Sequence, residues 1–133
     1  MILALHRATH ATLHALTERL ADLALPAADI NVLANLADGI SRTVGALAAA
    51  TATKPSTLTS LLDRLARRGY IVRELDPADR RSFVISLTPA GRAAARRAAE
   101  ATAELERRAL ATVTPAQRAG FEVLIDALTE VPR

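Results

Sequence analysis

Between Lys54 and Pro89 the hydrophobic period changes once, from 3.6 to two, and this limits the fold more than any other feature of the chain. Leu58, Leu61, Leu62 and Leu65 fall at i, i+3, i+4 and i+7, so Pro55 to Arg68 reads as an amphipathic helix with one apolar face. Pro55 suits the first helical turn, where its missing N–H has no partner to lose. Gly69 follows the last periodic residue and can take the left-handed C-terminal conformation. Tyr70 to Arg73 and Phe83 to Leu87 then read as two short strands, rich in β-branched and aromatic residues. The connection LDPADRRS is too long and too charged for a tight turn, so it should project into solvent.

The opposite face of the helix carries Ser56, Thr57, Thr59, Ser60 and Arg64. Short hydroxyls let a helix approach a groove closely and bond to phosphates and base edges. Such a helix followed by a hairpin tipped with Arg80 and Arg81 is the pattern of a winged helix-turn-helix. The expected fold class is mainly α, a winged helix-turn-helix with a two-stranded β wing, to which apolar stripes near the termini add dimerisation helices at both ends of the chain.

The run from Val44 to Arg92 resembles the MarR family of winged-helix transcriptional regulators. The most specific part is the wing, DPADRRSFVISLTPAG, with Asp79-x-Arg81 and then Leu87-Thr88-x-x-Gly91. Thr51 stands where the family often has Gly, and threonine resists the left-handed conformation that Gly accepts, so the turn is expected to differ in shape. Thr53 stands where the family often has Ser and keeps a capping oxygen; Lys54 beside it could meet a phosphate. The resemblance implies that Arg81 enters the minor groove with Asp79 bracing it. It also implies a triangular homodimer and a small, often aromatic or phenolic, anionic effector bound between the dimerisation helices and the winged domain.

At 133 residues the chain has the length of one domain. Half its residues are apolar but only 2% are aromatic, so its core must be mostly Leu, Ala, Val and Ile. The net charge is only +3, and Lys54 is the sole lysine. Placement is more telling: Arg64, Arg67, Arg68, Arg73, Arg80 and Arg81 cluster in the stretch already described. The absence of cysteine excludes disulfides, thiol redox sensing and thiolate metal sites. The start MILALHRATH, interrupted by His6 and Arg7, is neither a signal peptide nor a membrane span, and a cytoplasmic protein is expected.

The expected layout is a single domain over residues 1–133. A first helix, 2–23, carries Leu13, Leu16, Leu20 and Leu23 in a seam that wants another helix against it. Leu25 to Asp29 is a break or the first turn of a second helix, which contains Ile30 to Leu36 and ends near Asp38-Gly39, and Ser41 or Thr43 caps a short third one, Val44 to Ala50. The winged helix-turn-helix spans 30–89. Thr88 caps a long connecting helix, 89–110, with an alanine-rich first half; Thr114 caps a last helix within 111–133, carrying Phe121, Leu124, Ile125 and Leu128. The stripes on the first and last helices predict a homodimer, with Leu16, Leu20, Phe121 and Leu124 buried between chains. Two-fold symmetry then implies a pseudo-palindromic operator with half-sites about 10 bp apart.

His6, His10 and His14 lie one turn apart on the first helix. They could form part of a zinc site, with Glu18 one turn beyond, or make an effector or pH contact; the plainer reading is polar boundary residues at the dimer interface or effector cleft. Three turns cannot all reach one ion, so no metal and no cofactor is assigned, and the three histidines stand as candidate effector contacts. No nucleophile–base pair, phosphate loop or carboxylate pair suggests an enzyme. The predicted DNA contacts are Lys54, Pro55, Ser56, Thr57, Thr59, Ser60, Arg64, Arg73, Asp79, Arg80 and Arg81 on double-stranded DNA. The reading is a ligand-responsive regulator, a repressor, without membrane association. The alternatives are a winged helix that binds protein, and a metal-responsive regulator using the histidines.

Overall fold

In the computed structural model, which describes residues 1–131, ten elements follow one another. They are α1 (Ile2–Arg19), a 3-10 turn (Ala21–Leu23), α2 (Ala27–Leu36), β1 (Arg42–Thr43), α3 (Val44–Ala50), α4 (Pro55–Arg67), β2 (Ile71–Leu75), β3 (Phe83–Leu87), α5 (Pro89–Leu110) and α6 (Pro115–Thr129). The chain divides into two compact units, Met1–Thr102 and Ala103–Arg133, each described by itself. No helix among the described residues is long and apolar enough to cross a membrane.

The first unit is built around the leucines of α4. Leu58, Leu61, Leu62 and Leu65 are all at most 1% exposed, and they share one core with Ile30, Leu33, Leu36, Leu47, Ile71 and Ile85. Burying each such side chain stabilises by roughly 1.5–3 kcal/mol. The alanine face of α5 closes the core: Ala94, Ala95, Ala98 and Ala101 are buried at helical spacing. Small side chains let this helix lie close against its neighbours.

β2 and β3 pair antiparallel, with Ile71 opposite Leu87 and Leu75 opposite Phe83. The sheet has a third strand that the hydrophobic pattern did not reveal. Arg42 and Thr43 pair with Ile85 and Val84, giving the order β1-β3-β2. Two residues are too few to show a period.

Two further expectations need correction, and one open alternative is decided. The first helix ends at Arg19, not residue 23, because Leu20 leaves helical geometry and Ala24 turns left-handed at φ 50°. The second begins at Ala27, with Pro26 as its N-cap, so Ala27 to Asp29 are its first turn rather than a break. Leu20 is not a free interface residue: it is 3% exposed within the core of its own chain.

The second unit contains the end of α5 and α6. Thr114 and Gln117 form a reciprocal capping box at the start of α6: the Thr114 hydroxyl accepts the Gln117 backbone N–H, and the Gln117 side-chain amide oxygen Oε1 accepts the Thr114 N–H. No residue of α6 is buried, and Phe121 and Val123 are 56% and 69% exposed. α1 likewise buries none of its residues.

Candidate nucleic-acid interface

The turn between α3 and α4 sets the entry of α4. Thr43 caps α3 by accepting the Ala46 N–H at 3.1 Å. Thr51 keeps a negative φ of −98°, and it is Ala52 that goes left-handed, at φ 49°. The turn is therefore made one residue beyond the position where glycine would have been expected. The capping role expected of Thr53 is not realised. Lys54 is the N-cap and makes no side-chain cap, while the Thr53 hydroxyl donates back to the Thr51 carbonyl at 3.2 Å.

At its other end α4 closes in a Schellman motif. The Gly69 N–H donates to Ala66 O and the Tyr70 N–H to Leu65 O, both at 3.0 Å, with Gly69 at φ 74°. Thr88 ties this end to the sheet and to α5. Its N–H donates to Tyr70 O, its hydroxyl donates to Gly69 O at 2.6 Å, and the same oxygen accepts the Gly91 N–H at 2.9 Å. Gly91 is required by space. A Cβ there would stand 1.8 Å from the Tyr70 carbonyl oxygen. The spacing of Thr88 and Gly91 is thus the joint between wing and long helix.

On the outer face of α4, Pro55, Ser56, Thr57, Thr59 and Ser60 are all exposed, as is Lys54. The Thr59 hydroxyl donates back to the Pro55 carbonyl oxygen at 2.9 Å. An open groove of about 620 Å³ runs beside α4, lined by Ser60, Asp63, Arg64, Ala66, Arg67 and Arg73. Its charge is predominantly positive: three arginines against one aspartate.

The arginines divide into tied and untied groups. Arg64 forks onto the carboxylate of Asp29, at 3.2 Å from Nε and 2.7 Å from Nη2, and this contact holds its guanidinium above the ordinary arginine pKa. Arg73 pairs with Asp63 at 2.6 Å. Arg68 donates to the carbonyls of Leu23 and Ala24 and lies 5.6 Å from the centre of the Tyr70 ring. Lys54, Arg67, Arg80 and Arg81 make no ion pair among the described residues. Sequence reasoning left Arg67 out of the contact set. Only its position on the groove wall, one turn beyond Asp63, marks it.

The wing tip is shaped by two aspartates. Asp76 accepts the Ala78 N–H at 2.9 Å, and Asp79 accepts the Arg81 N–H at 3.0 Å. Asp79 therefore fixes the backbone of Arg81 and leaves its guanidinium free. Arg80 and Arg81 are both exposed.

The histidines do not converge. His6, His10 and His14 are exposed along α1, and His14 stands 3.3 Å from Glu18. No group of three metal-ligating side chains occurs among the described residues. A cleft of about 210 Å³ does exist between α1 and α2, lined by Leu13, Leu16, Ala27, Ile30, Asn31, Ala34, Asn35 and Thr102. The histidines are not part of its lining.

Residues 25–82 match the sequence profile of the MarR family. Structural likeness extends along the whole chain. Bordetella bronchiseptica BpsR, from a study of how 6-hydroxynicotinic acid regulates its DNA binding, is 26% identical, covering 99% of this chain and 94% of its own, with a TM-score of 0.81. A MarR family transcriptional regulator from Silicibacter pomeroyi is 28% identical over 98% and 88%, with a TM-score of 0.79. A mutant MarR from E. coli complexed with operator DNA is 25% identical over 97% and 91%, with a TM-score of 0.78. Among curated proteins none matches the sequence.

Proposed function

The chain belongs to the MarR family of winged-helix transcriptional regulators, and from that premise we propose that it represses transcription by binding a pseudo-palindromic operator as a homodimer. As a member of that family it is a regulator and not an enzyme. The observation that carries the reading is the pairing of an exposed hydroxyl face on α4 with untied arginines on either side of it: Arg67 on the groove wall, Arg80 and Arg81 at the wing tip. Hydroxyls and α4 suit the major groove, whereas an arginine on a projecting hairpin suits the narrow, strongly negative minor groove. On α1 Ile2 and Leu3 are exposed and Leu13 and Leu16 half-buried, and on α6 Phe121 and Val123 are exposed and Leu124, Ile125 and Leu128 half-buried; this unfinished burial supports assembly through the terminal helices.

The ligand belongs to the same proposal. A cavity of about 210 Å³ is below the size of most drug-like sites and fits a single substituted ring. Its walls are mostly aliphatic, with two amides, Asn31 and Asn35, as hydrogen-bonding groups. A hydroxylated aromatic acid of the kind that regulates DNA binding by BpsR fits this description better than a larger or strongly cationic molecule. It would act by favouring a conformation of lower DNA affinity.

The test is selection of bound duplexes from a random library, followed by challenge of the complex with a panel of hydroxylated aromatic acids. Enrichment of an inverted repeat, and its release by one acid, is the expected result. A library that remains unenriched, with the chain instead retained on another protein, would favour a winged helix that binds protein.

A further inference from the structure

Asp29 is the only charged side chain buried among the described residues, at 0% exposure. Both its oxygens are taken by Arg64, 35 positions later in the chain. An ion pair with one buried member is a poor means of stabilising a fold, because the desolvation of the carboxylate offsets much of the attraction. This pair, moreover, is not closed. The guanidinium has five N–H donors, and Asp29 uses one on Nε and one on Nη2. The other three lie on the end of the fork, where a second two-pronged contact can form. Arg64 is 44% exposed and borders two spaces: a small cavity with Pro26 and Asp29 on one side, the α4 groove with Ser60 and Arg67 on the other.

We infer that Asp29, though withdrawn from solvent, is a positioning residue for sequence reading: it pins one edge of Arg64 so that the other faces the α4 groove in a fixed orientation. The inference rests on the DNA-binding reading above. A free arginine loses rotamer entropy when it binds, and it can turn to a phosphate as readily as to a base. A pinned one has already lost that freedom and presents its fork in one plane. The group that matches such a fork in the major groove is the O6/N7 edge of guanine. Arg64 therefore contributes discrimination between sequences more than general affinity, and it does so only while the Asp29 clamp is in place.

Two variants of the full chain test this, each compared with the parent on the best duplex selected from a random library and on a scrambled duplex, over a salt series. Asp29→Asn keeps the shape of the side chain but weakens the clamp, and Arg64, being half-exposed, can solvate. Arg64→Lys keeps a cation opposite Asp29, so the buried charge is not stranded, but it cannot span two contacts at once. Both variants should lose about tenfold per half-site in preference for the selected duplex, the scale of one two-pronged base contact, while the salt dependence stays that of the parent. Retention of the parent's preference by either variant would overturn the inference. So would an equal loss on both duplexes, which would mark the pair as merely structural. A parent chain with no preference between the two duplexes would remove the DNA-binding reading itself, and the inference with it.

Discussion

Single residues carry two checks of the geometry. Gly91 is forced by contact: a methyl group there would meet the Tyr70 carbonyl at 1.8 Å, and neither partner is a flexible side chain. Gly91→Ala should therefore destabilise by about 3 kcal/mol, at the upper end of overpacking costs, as measured by chemical unfolding. A neutral substitution would mean that α5 and the start of β2 do not meet as described. Asp38 offers the second check. The Arg42 guanidinium, helped by the Ile40 N–H, holds its carboxyl down to about 2 from an ordinary 3.8. A depressed folded value means the contribution to stability is present above pH 3.8 and lost as pH falls through about 2. Carboxyl-carbon NMR should give a midpoint near 2, and Arg42→Gln should return it toward the ordinary range. A parent midpoint already in that range would show the pair to be open in solution.

Elements differ in how far their own residues announce them. α4 was legible because its leucines repeat at helical spacing and its ends carry proline and glycine; the wing was legible because the period drops to two. β1 was not, since Arg42 and Thr43 become a strand only by pairing with residues about 40 positions away. The end of α1 was missed because Leu20 continues the apolar spacing that belongs to a helix, yet serves the core from outside it. Among the candidate DNA contacts, hydroxyls were readable from their shared face. The engagement of Arg64 was not, because its partner lies on another helix. The turn before α4 illustrates the same limit: Thr51 was the suspect residue, and Ala52 takes the left-handed conformation. An L-residue there carries a strain that glycine would not. Ala52→Gly should stabilise by roughly 0.5–1 kcal/mol in thermal unfolding, net of the greater freedom glycine has when unfolded. A loss of stability would place the strain elsewhere in the turn.

At the scale of the whole molecule, the account requires a dimer and a DNA-facing surface on each subunit. Phe121 is the sharper probe of the first requirement, since Leu20 is already used within its own chain. Phe121 is mostly exposed in the isolated chain, so Phe121→Glu should leave helix content unchanged while shifting sedimentation from dimer to monomer. A variant that stays dimeric at the parent's concentration dependence would exclude α6 from the interface. The second requirement is tested most directly by the salt dependence of DNA binding in Arg81→Ala. Arg81 is exposed at the wing tip, free of any ion pair among the described residues, with its backbone fixed by Asp79. Binding of parent and variant should be measured on one selected duplex and one scrambled duplex from low to moderate salt. Loss of one arginine per subunit should weaken binding to both duplexes and reduce the slope of log affinity against log salt by about two for the dimer. Binding by Arg81→Ala equal to the parent's on both duplexes at every salt concentration would mean that the wing does not touch DNA.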